Sequence, residues 1–69
     1  MAVVKIIELV GSSKKSTDDA ARSALEHARK SLRNIRAVDI VSTGFRGDDL
    51  DEYRAHVRVA FLIEDTEVD

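Results

Sequence analysis

The sequence predicts an α+β fold: a β-α-β-β subunit whose three-stranded antiparallel sheet, in strand order 1-3-2, wraps around one helix. Three observations predict it. Tyr53, Ala55, Val57, Val59, Phe61 and Ile63 alternate with Arg54, His56, Arg58, Ala60 and Leu62, the period of a half-buried strand. Ala20, Ala21, Ala24, Leu25, Ala28, Leu32 and Ile35 recur at three- and four-residue spacings, one stripe of an amphipathic helix. Val3 to Val10 is rich in β-branched residues and reads as a strand.

The first strand is apolar on both faces apart from Lys5 on one and Glu8 on the other, so it needs cover on both sides. Gly11-Ser12-Ser13-Lys14-Lys15 breaks the pattern as a loop. Ser16 is placed to cap the helix, with Asp18 and Asp19 complementing its positive end and Lys14 and Lys15 near those acids. The helix is expected to run to about Asn34. Asp18–Arg22 and Glu26–Lys30 are its i,i+4 pairs, and Arg29, Lys30 and Arg33 lie at its negative end. The stripe is mostly alanine, which suits close packing against a sheet.

Arg36 to Arg46 reads as the second strand. Plain alternation puts Ala37, Asp39, Val41, Thr43 and Phe45 on one face and Arg36, Val38, Ile40 and Ser42 on the other; Gly44 suggests a bulge or bend. Gly47 to Glu52 is a turn, and Glu64–Asp69 an acidic tail. A strand-helix-strand crossover leaves the first two strands parallel. The third then fits between them antiparallel to both, with the helix against Tyr53, Val57 and Phe61.

At 69 residues the chain is one domain, 1–69. Folding buries only about 60% of the surface of so short a chain. With no cysteine and two histidines, disulfides and thiolate zinc are excluded, which leaves oligomerisation to complete the core. One helix also leaves a sheet face and two edges uncovered. The net charge of −2 argues against a nucleic-acid partner, and Arg22, Arg29 and Arg33 have no aromatic platform beside them. The opening apolar run is interrupted by charge and makes neither a signal segment nor a membrane span, so no membrane partner and a cytoplasmic location are expected. The bases gather in residues 1–36 and the acids in 37–69, which lets one copy face another.

No catalytic set emerges. There is no cysteine nucleophile, no serine in a triad context and no second glycine for a phosphate loop, and the acid–base candidates Asp39 and His56 lack partners. The chain reads as a non-enzyme. Asp48, Asp49, Asp51 and Glu52 either hold a hard cation such as calcium, with ligands multiplied by symmetry, or form a solvated turn. Arg54, His56 and Arg58 with Asp39 either line an inner anion pocket or make salt bridges between subunits.

Taken together, Val4-Lys5-Ile6-Ile7-Glu8-Leu9-Val10-Gly11-Ser12-Ser13, Ala28-Arg29-Lys30-Ser31-Leu32-Arg33-Asn34-Ile35 and Tyr53-Arg54-Ala55-His56-Val57-Arg58-Val59-Ala60-Phe61 resemble the dodecin family. The resemblance rests on order, spacing and length over nearly the whole chain. It implies a dodecameric cage that stores or buffers flavin, riboflavin or FMN, at subunit contacts. It places the flavin site at Ala37, Asp39, Arg54 and His56. Ala37 stands where typical members carry a tryptophan that stacks on the isoalloxazine ring, and Arg54 where they carry a glutamine that bonds its edge. Alanine offers no ring to stack, and arginine has donors only. In lacking the tryptophan this chain looks closer to a calcium-associated subgroup of the family.

Overall fold

The computed structural model describes residues 2–65. The elements run β1 (Ala2–Ser13), α1 (Thr17–Arg29), β2 (Ile35–Arg46) and β3 (Glu52–Asp65). The sheet has the order β1-β3-β2, with β3 antiparallel to both neighbours. This is the predicted topology, and the helix lies on the predicted face. Ala55, Val57 and Val59 are fully buried beneath Ala20, Ala21 and Ala24, with Ile7, Leu9, Val38 and Tyr53 packed around them. No helix among the described residues is long and apolar enough to cross a membrane.

The alanine stripe lets the helix backbone come down onto β1. Gly11, in register with Ala55, takes the point of closest approach: a Cβ there would overlap the carbonyl oxygen of Ala20 and sit 3.0 Å from the Cβ of Ala24. Ser16 caps as expected, its Oγ accepting from the Asp19 amide at 3.0 Å. Ser13 tightens the same entry, donating to Asp19 Oδ2 at 2.6 Å and accepting from the Lys15 amide at 2.8 Å. Ser16→Ala is therefore expected to cost about 1 kcal/mol, read as a lowered urea midpoint at unchanged slope.

Several local expectations are corrected. The helix ends at Arg29, not near Asn34, with Lys30 as its cap. Ser31 and Leu32 amides then bond back to the Ala28 carbonyl, and Asn34 turns the chain in the left-handed region at φ 61°. Leu32 and Ile35 still pack on the core from beyond the helix, which is why the apolar spacing outran it. Lys14 pairs with Asp51 at 3.4 Å, across the chain from the helix acids. The pair formed by Glu26 is to Arg29, at 4.0 Å, instead of to Lys30.

The bulges in β2 fall at Arg36 and Val41 instead of Gly44, since the register skips those two residues. Each skip reverses the alternation. Val38 and Ile40 therefore share the helix face with Thr43 and Phe45, opposite Val59, Val57, Ala55 and Tyr53. Ala37, Asp39, Ser42 and Gly44 take the outer face, opposite Ala60, Arg58, His56 and Arg54. At the far end β3 continues through Asp65, so the strand takes in the start of the expected acidic tail; residues 66–69 lie outside the described ones.

The helix is half the length of the sheet it covers. Its 13 residues against 12 to 14 per strand give about 20 Å of helix on about 40 Å of strand. At the end of the sheet farthest from the hairpin Val3 and Ile63 are 38% and 55% exposed. The radius of gyration is 14.4 Å, where a compact chain of this length has about 11 Å.

Candidate ligand-binding site

The outer face of the sheet, away from the helix, collects most of the residues singled out in the sequence. Pairing of β1 with β3 places Val4 opposite Leu62, Ile6 opposite Ala60, Glu8 opposite Arg58, Val10 opposite His56 and Ser12 opposite Arg54. The face therefore carries an apolar end (Val4, Ile6, Leu62, with Ala37 and Ala60), a charged belt and a polar end towards the β2–β3 hairpin. Val4 and Ile6 are 49% and 58% exposed, so the apolar end is open.

In the belt Glu8 is the centre. Its carboxylate accepts from His56 Nε2 at 2.6 Å and lies 3.7 Å from Arg58 Nε. Asp39 stands on the other side of β3, in register with Arg58. Sequence reasoning had grouped Arg54, His56, Arg58 and Asp39 but left out Glu8, which holds two of them. The signal was present: Glu8 is the one charge on its face of β1, and antiparallel pairing with β3 brings it to Arg58 and within reach of His56.

Ala37 sits on this face opposite Ala60. The three aromatic residues all lie on the other side: Phe45 and Tyr53 pair with centroids 5.5 Å apart, and Phe61 faces Ile35 and Lys5. A planar ligand on the outer face therefore meets no aromatic ring of its own subunit. Arg54 donates from Nη2 to Glu52 Oε1 at 3.3 Å, while its Nε is buried without an acceptor.

The hairpin acids do not converge. Asp51 goes to Lys14 and Glu52 to Arg54, and Asp48 and Asp49 are exposed in the turn. Among the described residues no three histidine or acidic side chains form a group able to hold a metal ion. The turn itself is built on Gly47 at φ 98° and on Leu50, a left-handed residue at φ 54° that is 65% exposed.

Comparison with known proteins agrees with this architecture. The family model described as Dodecin matches residues 3–64. The calcium dodecin of Mycobacterium tuberculosis (strain H37Rv) is 32% identical over 63 residues, covering 88% of this chain and 89% of that protein. Its crystal structure superposes with a TM-score of 0.80 at 28% identity, over 97% of this chain and 99% of that one. A Thermus thermophilus dodecin, solved as an arginine-to-alanine variant, gives 0.83 at 34% identity over 96% and 100% of the two chains. With the family model spanning all but the ends of the chain, and dodecins superposing on the whole β-α-β-β unit, this protein belongs to the dodecin family.

Proposed function

We propose that this chain is the subunit of a dodecameric cage that binds and buffers a small ligand where subunits meet, without chemical turnover. The observation that carries it is the outer sheet face, where a charged belt around Glu8, His56 and Arg58 adjoins exposed Val4 and Ile6. An unpartnered apolar area beside placed polar groups is the pattern of a contact surface. Native mass spectrometry of the purified protein tests it, reporting copy number and retained ligand together; a folded single chain would overturn it.

For a flavin, the family's ligand by resemblance, the positions at Ala37, Asp39, Arg54 and His56 form an altered site. Stacking on an aromatic ring is worth about 1–3 kcal/mol per contact, and the outer face supplies no ring. Riboflavin quenching is therefore expected to be weak or absent in this protein. Ala37→Trp with Arg54→Gln should strengthen it by roughly fivefold to a hundredfold. No gain in quenching by the double variant would count against Ala37 and Arg54 as flavin positions.

The second reading is calcium, favoured by the calcium dodecin among the relatives. Asp48, Asp49, Asp51 and Glu52 would have to act across copies, because one chain does not gather them. Calorimetric titration of calcium into the assembled protein separates this reading from a purely structural cage, which would give no heat.

A further inference from the structure

Near the hairpin the outer face forms a concavity of about 170 Å³, lined by Val10, Ser42, Gly44, Arg46, Arg54 and His56. No acidic side chain lines it. Its two guanidinium groups have one carboxylate between them just outside: Glu52 accepts from Arg54, while Arg46, in register with Glu52, forms no ion pair among the described residues. Arg46 Nη1 donates to the uncharged carbonyl of Phe45 at 2.8 Å, which leaves its charge uncompensated. On the same face Glu8 is engaged by His56 and Arg58 and Asp39 lies in register with Arg58, while Asp51 goes to Lys14. Arg54 Nε is buried without a partner, and of its terminal nitrogens only Nη2 is engaged among the described residues, by Glu52. The floor is open because β2 presents glycine opposite Arg54; a Cβ on Gly44 would come within 3.2 Å of Arg46 Nη1. Ser42, facing His56, adds a hydroxyl on the same side.

We propose that this concavity binds a small oxyanion of the phosphate class, held by the guanidinium groups of Arg54 and Arg46. The planar donor forks of arginine match such an anion bidentately, and charge-assisted bonds of this kind are among the strong ones. Size selects the class. Sites for ring-bearing ligands run to about 300–1,000 Å³, whereas this one has room for a tetrahedral anion. The site is built from residues of one chain and does not depend on the flavin or calcium reading.

The test is calorimetric titration of orthophosphate into the full-length assembled protein at constant ionic strength, with chloride as the control and glycerol phosphate as a second probe. Saturable heat with orthophosphate and none with chloride is expected. Binding of glycerol phosphate as well would point to phosphomonoesters as the natural ligands, and its exclusion to the free anion. Arg54→Gln should weaken binding by about tenfold or more, and Gly44→Val, which fills the floor, should abolish it. Circular dichroism checks that each variant folds; Arg46→Gln, at an exposed position, carries the same expectation should either fail. Absence of saturable heat in the parent protein, or undiminished binding in Arg54→Gln or Arg46→Gln, overturns the proposal. Failure of the cage reading would show separately, in the native mass.

Discussion

Gly11→Ala is expected to lower the thermal midpoint of the protein by roughly 10 °C or more, the largest effect of any single-methyl addition in this fold. The new Cβ would overlap the Ala20 carbonyl oxygen, and the next nearest atoms are the backbone nitrogen and Cβ of Ala24. Helix geometry makes that carbonyl the acceptor for the Ala24 amide, so the intrusion falls on a hydrogen bond of the first helical turns. None of the three atoms can rotate away, two being backbone and the third a Cβ fixed to it. The helix must lift from the sheet, loosening the contact over fully buried Ala55 and Val57. Overpacking of this kind costs about 1–3 kcal/mol where side chains can adjust, and more where backbone must move. Gly44→Ala is the matching control. Its Cβ would meet only the tip of Arg46, at 3.2 Å, so its midpoint should stay near that of the parent. Equal midpoints for the two variants in differential scanning calorimetry would refute the close helix–strand approach.

The second large effect separates the subunit from its assembly. Ile6 is 58% exposed in the single chain, on the outer face opposite Ala60. Were the chain complete by itself, Ile6→Glu would change stability by no more than about 0.5 kcal/mol. In the proposed cage the same position meets another copy, and a carboxylate buried there without a partner costs several kcal/mol. The expected result is loss of the assembled species in native mass spectrometry, with loss of folded signal at the same concentration. The fold explains why the two should go together. A radius of gyration of 14.4 Å, against about 11 Å for a compact chain, reflects strands that extend past their helix. In the proposed cage Val3 and Ile63 at the end farthest from the hairpin, and Val4 and Ile6 on the outer face, would be buried by neighbouring copies. A variant that assembles as the parent does would remove the outer face from the subunit contacts.

The two proposed ligand classes ask different things of the same face. A flavin gains from a ring to stack on, and the outer face, where Ala37 lies, supplies none. A small oxyanion needs guanidinium groups short of carboxylates, which Arg46 and Arg54 provide around Glu52. Arg54 alternates outward from the buried Ala55, so in the proposed site it can set what the pocket recognises without disturbing the sheet.

What the sequence by itself determined was everything carried by periodicity. The alternation from Tyr53 to Ile63 set the central strand and the face that takes the helix. The alanine stripe set the helix and its close seat, and the β-α-β-β order set the 1-3-2 topology. Only the tertiary structure decided matters that depend on register and on where a period is interrupted. The skip at Val41 brought Thr43 and Phe45 onto the helix face with Val38 and Ile40 and turned Ser42 outward beside Ala37 and Asp39, while the skip at Arg36 set Ile35 on the face opposite to Ala37. The helix stopped at Arg29 although Leu32 and Ile35 prolong its apolar spacing, since a turn and a strand can bury them against the same core. Glu8 met His56 and Arg58 from 48 and 50 residues away, a contact made by antiparallel pairing and not by neighbourhood in the chain. A side-chain period reports which face a residue occupies; it holds no information about which strand lies alongside, or where a bulge reverses the count.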